Sequence, residues 1–119
     1  NYRTKSKSHI SEALTNVIEQ GLISEILLTD WKNEGYPVSF DKTLVELFPF
    51  QKIPLITFGG ISNAKQMKTL FARSNIVAVA VGNFLNYREH SIQEFKDTMA
   101  SATLRSPSYA TENSLQADV

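Results

Sequence analysis

A chain of 119 residues, 42% of them hydrophobic, is long enough for one small domain with a modest core and too apolar for global disorder. Twelve basic residues balance twelve acidic ones, which excludes a broadly basic nucleic-acid surface, and no apolar run approaches the ~18 residues of a membrane span. The absence of cysteine excludes disulfides and thiolate metal sites.

The start NYRTKSKS is polar and basic, and no apolar signal core follows it. His9 and His90 lack the short spacing of a zinc motif, so no metal and no cofactor is expected. These features fit a cytoplasmic protein. The first residue is Asn rather than Met, and a piece of a longer protein is one expectation.

Ile10, Ala13, Leu14, Val17 and Ile18 recur at helical spacing, and Gly21 supplies a stop. Ile26-Leu27-Leu28-Thr29-Asp30 is apolar and then abruptly polar, which predicts a strand buried on both faces. The long connection WKNEGYPVSF follows, and Asp41 is placed to cap a short helix with Leu44, Leu47 and Phe48 on one face. Leu55 to Phe58 is the second strand. Ser62 or Asn63 caps the next helix, with Met67, Leu70 and Phe71 inward and Asn75 at its end. Ile76 to Val81 is a third strand without alternation, followed by Gly82-Asn83 and the short turn FLNYREH. Ser91 and Glu94 have the spacing of a capping box for a last helix carrying Ile92, Phe95 and Met99. Residues 1–102 form the folded part, and the polar, aperiodic stretch 103–119 reads as a disordered tail.

The order is thus helix, then strand–helix three times. Strands of this kind belong to a parallel α/β sheet whose faces are covered. In such folds ligands sit at the C-terminal strand ends, which here read Thr29-Asp30, Gly59-Gly60 and Gly82-Asn83. Bare backbone amides leading toward helix starts suit a phosphate, and glycine removes the side chain that would block it. Alternatively, each glycine serves only a tight turn.

The runs EILLTDWKNEGYPVSFD, IPLITFGGISNAKQMKTLF and VAVAVGNFLNYREHSIQEFK resemble the C-terminal half of the imidazole glycerol phosphate synthase cyclase subunit family. The resemblance covers roughly residues 1–100. It implies a partial (βα)8 TIM barrel, with the three strands corresponding to strands 6 to 8 and residues 1–9 to the loop after the fifth. It places one phosphate site on Gly59, Gly60, Gly82 and Asn83, and substrate-pocket positions on Thr29, Asp30, Glu34 and Thr57. It also implies a phosphorylated small-molecule substrate and a glutaminase partner subunit that supplies ammonia. The family's catalytic aspartates lie on the first and fifth strands, so no catalytic residue is expected in this chain.

Two departures stand out. The family's acidic, glycine-containing loop reads Lys32-Asn33-Glu34-Gly35-Tyr36 here, and Phe58 stands where a small serine commonly precedes the glycine pair. The variant loop and GNFLNYREH also look like a divergent branch, whose members accompany a glutaminase and a sugar amidotransferase in surface-polysaccharide synthesis. A non-catalytic half-barrel that binds phosphate and self-associates is a third reading, motivated by open sheet edges.

Individual residues have two readings each. Asp30 either polarises substrate or braces the loop through backbone hydrogen bonds. Glu34 either closes over a ligand or is a solvated loop charge. Arg3, Lys5 and Lys7 either attract phosphate or form an exposed terminal run. Trp31 and Tyr36 either pack on a sugar or base ring or anchor the loop. Arg88 either touches phosphate or pairs with Glu89, and His90 is given no role.

Overall fold

Residues 12–87, 90–99 and 104 are described, in a computed structural model of the chain. In order they form α1 (Glu12–Glu19), β1 (Ile26–Thr29), α2 (Thr43–Glu46), β2 (Leu55–Phe58), α3 (Ala64–Phe71), β3 (Ile76–Val79), a 3-10 turn (Asn83–Tyr87) and α4 (Ser91–Thr98). The expectations for Arg3, Lys5, Lys7, His9, Arg88 and Glu89, and for the tail apart from Leu104, lie outside the described residues. No described helix is long and apolar enough to cross a membrane.

The strands are parallel and lie in the order β1-β2-β3. Sequential order is what a barrel wall requires, whereas an open doubly wound sheet reverses at a switch point. Register defines two faces. Ile26, Leu55 and Ile76 share one row and Leu28, Thr57 and Val79 the next. Core residues Val45, Met67, Leu70, Phe95 and Met99 join this face's Leu55 and Ile76. The other face carries Leu27, Ile56 and Ala78 in one row and Thr29 beside Phe58 in the next.

That second face is apolar but open. Leu27 is 58% exposed, and Val77, at the register shift between β2 and β3, is 47% exposed. The expectation of strands buried on both faces is therefore corrected: burial alternates along β1 and β2. The run of apolar residues has a physical reason all the same. In a (βα)8 barrel one strand face meets the helices and the other is packed into the barrel interior. The chain is a partial barrel of this kind, with three strand–helix units.

Several local expectations are also corrected. Around α2 the buried residues are Val45 within the helix and Phe48 just after it, while Leu47 is 79% exposed, because the helix is a single turn and Val45 shares its inward side with Phe48. β3 ends at Val79, two residues before the apolar run does, and α3 ends at Phe71 rather than near Asn75. The predicted box at Ser91-x-x-Glu94 does not form an N-cap at Ser91. Ser91 is already the first residue of α4, and His90 takes the N-cap position in left-handed backbone at φ 55°. The chain enters α4 by a reversal at His90, which the serine spacing does not reveal.

The start of α2 is held as anticipated. Asp41 Oδ1 accepts from Thr43 N (3.0 Å) and from Thr43 Oγ1 (2.7 Å), although Lys42 occupies the N-cap position. These hydrogen bonds, the hydroxyl's first, lower the Asp41 carboxyl below its ordinary value of 3.8. Its contribution is complete above that value and is lost as pH falls through the lowered one. Asp41→Ala is therefore expected to melt below the parent near neutral pH, with the gap in Tm closing as pH falls below the ordinary carboxyl value of 3.8. Thermal melts from neutral pH downward check it.

Candidate functional site

The two loops that follow β1 and β2 are laid one upon the other, and the glycine pair makes this approach possible. Gly59 has φ 102° and Gly60 φ 71°, a region that side chains rarely tolerate. A Cβ on Gly59 would stand 2.5 Å from Asp30 O. A Cβ on Gly60 would collide with Ser39 Oγ and stand 2.8 Å from Phe40 N. Gly60 O accepts from Ser39 N (2.9 Å) and Phe40 N (3.2 Å). The bare backbone thus admits a neighbouring protein loop. This does not displace the anion reading, because it engages the Gly60 carbonyl and leaves the amides of the pair unused.

Asp30 organises the upper loop. The residue is 5% exposed, and its carboxylate accepts from Asn33 Nδ2 (2.7 Å) and from Asp41 N (2.9 Å), with Asn33 N at 3.4 Å. Its own backbone N–H donates to Phe58 O at 2.8 Å. One side chain therefore joins both ends of the segment 30–41. Ser62 adds a third tie, accepting from Val38 N at 3.0 Å. Beneath it, Asn63 caps α3 by accepting from Gln66 N (2.9 Å), while the Gln66 amide accepts from Ser62 N (2.9 Å) and donates to Gly60 O (3.0 Å). On the far side, the Phe84 and Phe95 rings stack with centroids 6.3 Å apart, which fixes the 3-10 turn on α4.

Between these supports lies a cavity of about 270 Å³. Gly59, Gly60, Gly82 and Asn83 all line it, so the fold brings the four expected phosphate positions together. Among the described residues, none of their backbone N–H groups donates to a protein acceptor. Glu34, Tyr36, Phe58 and Phe84 also line the cavity. Among the described residues, no lysine, arginine or histidine does, and there is no cluster of three or more metal-ligating side chains.

The remaining pocket candidates divide. Glu34 lines the cavity, whereas Thr29, Asp30 and Thr57 do not. Thr29 sits on the open face beside Phe58. Thr57 is fully buried among the helix-facing positions, and its Oγ1 has no hydrogen-bond partner among the described residues. A buried, unpaired hydroxyl is destabilising. Thr57→Val keeps the β-branched shape and is expected to raise stability by about 1 kcal/mol, read from the denaturant midpoint. Trp31 is 72% exposed, and Tyr36 is exposed at the cavity. Ser62 was singled out only as an alternative cap for α3, a place that Asn63 takes, and Ser39 and Gln66 were not singled out in the sequence. The Asn63-x-x-Gln66 spacing is itself a capping signal that marks the last of them.

Parallel strand–helix units in sequential order define a segment of a (βα)8 barrel, and the cavity lies at the C-terminal strand ends, where such barrels carry their sites. Residues 1–91 match the family described as histidine biosynthesis protein, and the chain belongs to that family. It is similar to imidazole glycerol phosphate synthase subunit HisF of Leptospira biflexa, 37% identical over 76 residues, which cover 63% of this chain and 30% of that protein. It is 36% identical over 73 residues to the same subunit of Bacillus subtilis, covering 60% of this chain and 29% of that protein. The subunit of Bacillus velezensis is 30% identical over 98 residues, 82% of this chain and 38% of that protein. The chain thus matches well under half the length of these relatives. No solved structure gives a significant match.

Proposed function

We propose that the chain is the phosphate-binding part of an imidazole glycerol phosphate synthase cyclase-like subunit acting in histidine biosynthesis. The observation that carries this reading is the meeting of Gly59, Gly60, Gly82 and Asn83 along one cavity, with backbone N–H groups that have no acceptor among the described residues. Such amides are pre-placed donors for phosphate oxygens and need no side-chain cation. Family membership supplies the chemical context.

In the complete protein, ammonia from a glutaminase partner attacks a phosphorylated ribosyl intermediate, and ring closure with cleavage gives the imidazole product. This chain holds the phosphate end of that substrate. Glu34 faces the ligand, Thr29 lines its approach, and Asp30 and Thr57 act from behind the wall. The principal proton transfers belong to aspartates on the first and fifth strands of the barrel. A cytoplasmic location belongs to the same reading.

The Phe58 ring against Gly82 favours one alternative, the cyclase-like branch that serves a sugar amidotransferase in surface-polysaccharide synthesis. A bulky ring at this position changes the space next to the phosphate and hence the substrate. Incubation with ammonium and the phosphoribosyl substrate separates binding from chemistry. The chain is expected to bind without turnover. Turnover would overturn the division of labour, and failure to bind any phosphate monoester would overturn the reading.

A further inference from the structure

A second cavity, of about 210 Å³, lies between α3 and α4 over β3, and it shares no lining residue with the cavity at the strand ends. Met67 and Phe71 line it from α3, Val79 from β3, and Phe95 and Met99 from α4. Among the described residues, Lys96 is the only charged side chain in the lining, and every other one is apolar. On one rim Ile92 is 50% exposed. Water in such a groove finds few polar partners, and an empty groove forfeits the packing of its walls. The chemistry therefore calls for an apolar occupant.

The chain itself leads into this groove. Leu104, the last described residue, is part of the lining and is half-buried against the core. Residues 105–119 follow it in the sequence RSPSYATENSLQADV. Pro107 fixes its own φ and biases Ser106 toward extended backbone, so the chain is directed onward rather than into a helix. Tyr109 is the only aromatic residue of the stretch. It stands five residues beyond Leu104, an extended reach of about 17 Å. The eight-residue α4 that forms one wall is about 12 Å long. Tyr109 is therefore within reach of the whole groove. Charge agrees as well: the stretch carries Glu112 and Asp118 against Arg105, and the groove presents a lysine.

We propose that the groove between α3 and α4 is the docking site of the chain's own segment 105–119, with the Tyr109 ring as its anchor. A tyrosine suits the place because its ring packs on apolar walls while its hydroxyl stays at the open edge. The docked segment straps α4 to α3. It thereby braces the 3-10 turn, whose Phe84 stacks on Phe95 of α4. The inference stands independently of the phosphate-binding reading.

Nuclear Overhauser contacts in the full chain test it, and a mixed sample of labelled and unlabelled chains separates contacts within one chain from contacts between copies. The Tyr109 ring protons are expected to show contacts to the Met67, Phe71 and Met99 side chains within a single chain. Tyr109→Ala is expected to abolish them, to shift the Met67 and Met99 methyl resonances and to lower Tm by about 4–8 °C. Tyr109→Phe is expected to retain the contacts. Ile92→Lys, at the exposed rim where the fold tolerates a charge, is expected to weaken them. Contacts absent from the full chain, or present only between copies, would overturn the proposal. Unchanged groove resonances and an unchanged Tm in Tyr109→Ala would do so too.

Discussion

Gly60→Ala is expected to cost about 2–5 kcal/mol, from backbone strain at positive φ and from overpacking. The methyl group would meet Ser39 Oγ and Phe40 N, while the carbonyl of the same residue holds both through the Ser39 and Phe40 amides. Relief requires the 31–40 loop to lift, while Ser62 and Asp30 tie that loop down and Gln66 holds the Gly60 carbonyl in place. Gly35→Ala separates the two causes. Gly35 has φ 87° but open space around its Cα, so only the conformational part, about 1–2 kcal/mol, remains. Denaturant unfolding of both variants checks this. Equal losses would mean that close approach of the loops contributes nothing.

Asp30→Ala is the second substitution expected to be severe. It removes the acceptor shared by Asn33 Nδ2 and Asp41 N, and leaves those donors in a partly buried place. Hydrogen bonds to a carboxylate are worth more than neutral ones, and orphaned donors add a desolvation cost, so about 2–4 kcal/mol is expected. Asp30→Asn retains one carbonyl acceptor and is expected to lose about half as much. The pair also distinguishes bracing from chemistry. If Asp30 acts by positioning the loop, ligand binding falls in step with stability. A fully stable Asp30→Asn protein that has lost function would instead indicate a direct role at the substrate.

The sequence was informative where the signal is local and periodic. The apolar runs at 26, 55 and 76, each followed by a helical pattern, sufficed to read three parallel strand–helix units. The polar or glycine residues after each run marked the cavity end of the sheet. The sequence was less informative where a long-range neighbour decides the outcome. That Gly60 must be bare because Ser39 and Phe40 rest on it depends on a loop some twenty residues earlier. Whether Leu27 and Val77 are buried depends on what covers the second sheet face, which their own pattern does not state. Asp30 had an ambiguity between loop bracing and chemistry, and only its hydrogen bonds to Asn33 and Asp41 show that it braces the loop. At Ser91 the spacing was right but the preceding residue, His90, turned the chain differently.

Anion capture falls to the backbone amides, since no basic side chain among the described residues lines the cavity. Titration of the isotopically labelled protein with ribose 5-phosphate, followed through the amide resonances of Gly59, Gly60, Gly82 and Asn83, addresses this directly. These resonances are expected to move together and saturate at one ligand concentration, with Gly60 and Asn83 among the largest changes. Unmoved glycine-loop amides at ligand saturation, or shifts confined to residues away from the cavity, would contradict it.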